Sequence, residues 1–214
     1  MDDALGLLET VGLSATLVAV DVMEKSADVR VVQCELNDFY GVCTKITGST
    51  SAVITAIERG RSAAEQMGGQ PVARVIARPD PRAWAAIRTP REFNPLIQQE
   101  VVFFPEFQAA CAAPADKEGP MTQETISALG LIETQGFIAV FEAIDTACKV
   151  ANVEVVGKEK LGGGYVTVII KGDLAAVKAA VEAGKAKVEG LGKLIAAHVL
   201  ARPSKSVLAL LPKT

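Results

Sequence analysis

The strongest constraint on this chain is a repeat at an offset of 124 positions. Ala4-Leu5-Gly6-Leu7-Leu8-Glu9-Thr10 recurs as Ala128-Leu129-Gly130-Leu131-Ile132-Glu133-Thr134, and Ala77-Arg78-Pro79 recurs as Ala201-Arg202-Pro203. The offset holds without insertion from Ala4 to Asp80, and about 31 of those 77 positions are identical. Such self-similarity marks a tandem duplication. The 214 residues are therefore expected to form two copies of one small domain rather than a single large one.

The pattern can be read twice. The opening ALGL(L/I)ET is short and aliphatic, as a buried strand should be. A helix is predicted over Gly12–Ala27 and again over Gly136–Ala151, where Phe137, Phe141, Ile144 and Cys148 fall at helical spacing. Val29–Cys34 with Tyr40–Thr47, and Val153–Val156 with Gly164–Lys171, read as hairpins. Ser49 and Asp173 are N-caps for a second helix, whose buried face would be Val53, Ala56, Ile57, Gly60, Ala64 and Met67, or Val177, Ala180, Val181, Gly184, Val188 and Leu191. A last strand and a short helix complete a β-α-β-β-α-β-α order, an α+β unit with two main helices on one sheet face.

Composition narrows the function. Half of the residues are apolar and the net charge is −3, so neither disorder nor a strongly basic nucleic-acid surface is expected. The apolar run Gly12–Val20 falls short of the ~18 residues of a membrane span, and no basic segment precedes it; neither a membrane nor a nucleic-acid partner is predicted. The single histidine, His198, lies in an apolar strand and reads as structural. Cys34, Cys43, Cys111 and Cys148 show no CxxC spacing and read as reduced thiols. With no nucleophile–base pair and no metal constellation, the chain is not expected to be an enzyme or to carry a cofactor or metal.

Between the copies, Trp84, Phe93, Phe103, Phe104 and Phe107 concentrate aromatic side chains that a solvated linker would not hold. The predicted organisation is a first domain over 1–107 with an aromatic C-terminal extension, a connector over 108–127, and a second domain over 128–214.

These residues resemble the bacterial microcompartment shell proteins, specifically the tandem-domain type. The resemblance rests on ALGLIET, on Asp145-Thr146-Ala147-Cys148-Lys149-Val150-Ala151-Asn152-Val153, and on the glycine loop Lys160-Leu161-Gly162-Gly163-Gly164-Tyr165. Lys171-Gly172-Asp173 and Ala201-Arg202-Pro203 complete it. The first copy departs from the pattern in the loop, where Leu36-Asn37-Asp38-Phe39-Tyr40 replaces the glycines. Both copies begin with the ALGL strand and end with ARP, the non-permuted order. The resemblance implies two ferredoxin-like domains that mimic two subunits of a hexamer. A homotrimer would then form one pseudohexameric tile of a polyhedral shell in the cytoplasm, beside other hexameric and pentameric tiles and around enclosed enzymes.

The resemblance also implies site residues. Asn37, Asp38 and Phe39 of one loop and Gly162, Gly163 and Gly164 of the other would line a central pore for metabolites. Three Asp38 carboxylates around one axis would favour cations or neutral polar solutes over anions. Lys25 and Lys149, with Arg78 and Arg202, would sit on tile edges. The glycine loop is not a P-loop: it lacks the terminal Lys-Ser/Thr and leads into a strand. An iron–sulfur cluster, carried by a loop cysteine in some tandem relatives, has no cysteine at the tip Asn37-Asp38-Phe39. Two alternatives stay open at this point: a small-molecule-binding regulatory trimer, and a redox shell protein carrying such a cluster.

Overall fold

The computed structural model describes residues 4–37, 40–105 and 128–212, and both copies of the repeat build the same unit. The first comprises β1 (Ala4–Val11), α1 (Leu13–Ser26), β2 (Val29–Leu36), β3 (Gly41–Gly48), α2 (Thr50–Gln66) and β4 (Val72–Ile76). After it come a 3-10 turn (Pro81–Ala83), α3 (Trp84–Ile87), β5 (Phe93–Asn94), β6 (Gln99–Glu100) and β7 (Val102–Phe103). The second comprises β8 (Ala128–Gln135), α4 (Phe137–Val150), β9 (Glu154–Gly162), β10 (Tyr165–Gly172), α5 (Leu174–Ala186), β11 (Lys193–Ala201) and α6 (Lys205–Ala209). The sheets run β4-β1-β3-β2-β7 and β11-β8-β10-β9, with antiparallel pairing throughout. The fold is α+β, in tandem.

Local chemistry starts the second helix of each copy as expected. Ser49 accepts the amide of Ala52 at 3.3 Å, and Asp173 accepts those of Ala175 and Ala176 at 3.0 Å. Behind them Val53, Ala56, Ile57 and Ala64, and Val177, Ala180 and Val181, are buried against the sheets. Helix α4 forms where the spacing predicts it, but its apolar residues divide between two faces. Its buried face is Ala139, Val140, Ala143 and Ala147, whereas Phe137, Ile138 and Phe141 stand 42, 72 and 48% exposed and Cys148 is exposed. Small residues let α4 lie close to its sheet, and the large ones point away from it.

The segment after β4 crosses the first domain. Lys45, almost fully buried, donates to the Gln33 and Glu35 side chains and to the Ile87 carbonyl. Gln33, fully buried, exchanges hydrogen bonds with the backbone of Thr89. Further on, β7 adds a strand beside β2, pairing Cys34 with Phe103 and Glu35 with Val102. Gln99 then reaches the second domain, where its amide bonds both the carbonyl and the N–H of Lys160. Of the aromatics, Phe103 packs on the core and Trp84 is half-buried beneath Arg88, but Phe93 is 57% exposed. Phe107 and the expected connector 108–127 lie outside the described residues.

A buried carboxylate joins the two domains. Glu133, 0% exposed, accepts the amides of Leu13 at 2.9 Å and Ser14 at 3.1 Å. These are orphan donors at the start of α1, where the helix dipole also favours an anion. Gly12 supplies the N-cap with φ +89°, and a Cβ there would crowd the Glu133 carboxylate at 3.1 Å. Along the same seam Asp21 accepts the Ser204 amide, Glu24 accepts both the amide and hydroxyl of Ser206, and Lys25 donates to the Ala201 carbonyl. Val207 and Leu210 join Leu13 and Leu17 in one apolar cluster.

One pair of twins has diverged. Glu35 is held by Lys45 and Thr89, but the second copy has Ile169 at the position of Lys45, so the counterpart Glu159 lacks that cation. Glu159 is 7% exposed beside an interdomain cleft lined by Leu13, Leu17, Cys34, Phe103, Leu161 and Leu210. Lys158, Lys160, Arg91 and Glu100 line a second cavity that Glu159 also borders. Desolvation raises its carboxyl to about 7, against a smaller opposing pull from Lys160.

Two outcomes are expected. Glu133→Ala leaves two amides and a helix end unmet and should cost about 1.5–3 kcal/mol, read as a lower urea midpoint. For Glu159, the folded chain binds the proton more tightly than the unfolded one, so its contribution to stability falls as pH rises from 4.5 to about 7 and is level above. Glu159→Gln should therefore raise stability by about 1–3 kcal/mol at pH 8 and leave it unchanged at pH 4.5, as thermal melts at the two pH values would report.

Candidate pore loops and assembly faces

The hairpin tips of the two domains lie side by side. In the first, Asn37 is fixed by its own chain: its amide N–H donates to the Gly41 carbonyl, its side-chain oxygen accepts the Gly41 amide at 2.9 Å, and its side-chain nitrogen donates to Glu9. In the second, Gly162, Gly163 and Gly164 have φ values of +87°, +52° and +82°, a run of left-handed conformations that only glycine adopts readily. The Gly164 carbonyl accepts the Gly136 amide at 2.9 Å, and Gln135 donates to the Gly163 carbonyl at 3.2 Å. Among the described residues, and apart from its chain neighbours, no atom lies within 4 Å of where a Gly162 side chain would start. Asn37, Gly162 and Gly163 line one common cavity, together with Glu35, Glu92 and Leu96. Asp38 and Phe39 lie outside the described residues.

Tyr40 was not singled out from the sequence, yet it joins the two tips. Its ring stacks on Tyr165 with centroids 4.6 Å apart and planes parallel, and it lies against Gly163. The available signal was the repeat itself: Tyr40 stands where the second copy has Gly164.

The four proposed edge residues are distributed unequally. Lys25 pairs with Asp21 at 2.6 Å and is drawn into the interdomain seam through the Ala201 carbonyl. Its twin Lys149 pairs with Asp145 at 2.5 Å on an exposed helix face, and that hydrogen bond raises its pKa. Arg78 and Arg202 are both exposed, and Arg202 alone of the two has a positive φ, +48°.

The residues that join the domains were likewise hidden within the repeat motif. Glu133 and Glu9 are twins, but Glu133 is fully buried on the first turn of α1, while Glu9 is exposed. The twins of Leu13, Ser14 and Leu17 are Phe137, Ile138 and Phe141. The former are buried by the second domain, and the latter are bare. Among the described residues, no side chain caps the start of α4. The chain thus carries one complete seam, and the twins of its residues, Glu9, Phe137, Ile138 and Phe141, stand exposed.

Among the described residues, no group of His, Cys, Asp and Glu could hold a metal, and no helix is long and apolar enough to cross a membrane. Cys34 is buried with its thiol pushed up to about 12, and Cys43 to about 11, in both cases chiefly by desolvation. Both thiols are therefore poor thiolates.

Comparison with known proteins agrees with the repeat. A family model described as the BMC domain matches residues 4–79 and again 128–203. The bacterial microcompartment shell protein PduA of Citrobacter freundii is 51% identical over 86 residues, 40% of this chain and 92% of that protein. The carboxysome shell protein CsoS1 of Prochlorococcus marinus is 48% identical over 89 residues, 41% of this chain and 86% of that protein. The carboxysome assembly protein CcmO of Synechococcus elongatus is 32% identical over 211 residues, 98% of this chain and 69% of that protein. With two BMC domains that span most of its described residues, this chain belongs to the bacterial microcompartment shell protein family.

Proposed function

We propose that three copies of this chain close into a ring of six domains, a pseudohexameric tile of a microcompartment shell with a central pore for metabolites. One observation carries the reading: the seam inside the chain has a matching but open seam at its ends. Placing Glu9 of one chain on the Phe137 and Ile138 amides of the next would repeat the Glu133 contact on Leu13 and Ser14. It would also bury Phe137, Ile138 and Phe141, an apolar face that a lone chain leaves in water. Such a heterologous contact repeats at each step and closes when the rotation allows.

In that ring the paired hairpin tips gather around the axis. Asn37, Asp38 and Phe39 would alternate with Gly162, Gly163 and Gly164, mixing a carboxylate and a ring with bare backbone. Lys25, Lys149, Arg78 and Arg202 would lie toward the outer rim, where neighbouring tiles meet; arginine there offers a planar fork of donors to backbone carbonyls. The role is structural and selective, with passage governed by pore width and charge and no chemistry on the solute. Other shell proteins are the partners at the rim, and enclosed enzymes lie on one face.

The ring is tested by Ile138→Asp. The side chain is 72% exposed, so the chain should fold normally, but a carboxylate would stand beside Glu9 at the start of α4. Native mass spectrometry is expected to show at least tenfold weaker association than wild type. Ile54→Asp, a change at an exposed apolar residue of α2, should leave association unchanged. Full-strength association of Ile138→Asp would contradict the open-seam reading.

A further inference from the structure

We infer that Tyr40 is a positioning residue: it pins the glycine loop of the second domain to the first, so that part of the pore rim is set within each chain. This deepens the pore reading and rests on it for the word pore, but the clamp itself is a contact inside one chain. The two hairpins need the same backbone at the same place. Gly164 has φ +82° and its carbonyl accepts the Gly136 amide; Tyr40 has φ +62° and its carbonyl accepts the Gly12 amide at 2.7 Å. The second copy meets this left-handed demand with glycine. The first meets it with a residue whose Cβ makes the conformation costly.

A strained residue persists where its surroundings hold it, and here the side chain supplies the hold. The Tyr40 ring stacks parallel on Tyr165, 4.6 Å between centroids. It also occupies the space next to Gly163 so fully that a Cβ on Gly163 would stand 2.0 Å from Tyr40 Cε1 and 2.7 Å from its hydroxyl oxygen. Three consecutive glycines with positive φ have no side chains with which to fix themselves. The ring supplies a wall on one side of them, and Tyr165, the first residue of β10, ties that wall to the sheet. Tyr165 aligns with Gly41, and Gly163 with Phe39, so the repeat does not reproduce this clamp at the other seam. Each chain would contribute one riveted pair of tips.

Hydrogen exchange on the full chain tests the assignment in any state of assembly. The reporter is the Gly136 amide, which is bonded to the Gly164 carbonyl. Tyr40→Ala should speed its exchange at least tenfold while α5 stays protected, and Tyr40→Phe, which keeps the stacked ring, should match wild type. Unchanged exchange in Tyr40→Ala would overturn the clamp whether or not the ring of three exists. Loss of protection throughout the second domain would overturn it too, marking Tyr40 as a residue the fold needs. In assembled shells that hold Tyr40→Ala at wild-type ring mass, passage of a small polar solute should rise severalfold. Unchanged passage with loosened exchange would overturn the link between clamp and aperture.

Discussion

A carboxylate taken out of water and set on the first amides of a helix is the contact on which the rest of this molecule depends. Glu133 meets Leu13 and Ser14 with charge-assisted hydrogen bonds, roughly twice as strong as neutral ones, and the helix dipole adds to them. Because the acceptor comes from one domain and the donors from the other, their satisfaction fixes how the domains meet. Once β8 is held against the start of α1, the far end of the helix falls in register. Asp21 and Glu24 then take Ser204 and Ser206, while Val207 and Leu210 close the apolar core between them. Glycine at position 12 is part of the same requirement, since a side chain there would crowd the carboxylate.

Duplication makes the seam informative, because each residue in it has a twin in a different setting. α1 is buried nearly all round, and α4 along one stripe of small residues only. Glu133 is buried; Glu9 is exposed and held by Asn37. These differences follow from one shared seam: the twins that lie in it are buried, and those outside it are exposed. Elsewhere the copies have truly diverged. Lys45 became the anchor of an added segment, whereas Ile169 in its place leaves Glu159 without that cation. Tyr40 and Gly164 satisfy one backbone demand in two ways, and only the tyrosine reaches the other domain.

Much of the fold was legible in the sequence because the repeat allowed each element to be read twice. The strands, the hairpins and the caps at Ser49 and Asp173 followed from periodicity and side-chain chemistry that act locally. The α4 face did not. Helical spacing of Phe137, Phe141 and Cys148 marks an apolar stripe but not what covers it, and here the alanine face turns to the sheet. The added segment was recognisable as more than a linker from its aromatics, but its anchors, Lys45 with Ile87 and Gln99 with Lys160, are long-range pairings without local signature. The site divides the same way. The glycine loop announces itself by composition, while Glu133 and Tyr40 matter through contacts across domains. The repeat marks Tyr40 by its mismatch with Gly164, whereas Glu133 is identical to its twin Glu9 and carries no such signal.

Native mass spectrometry of the wild-type chain across a range of concentrations tests the central claim most directly. The account predicts a closed species at three times the 22.4 kDa of one chain, without a ladder of longer products, because each open seam finds its complement and the ring leaves none over. A persistent monomer, or an open-ended series of oligomers, would show that the exposed Glu9 and the bare start of α4 are not two halves of one contact.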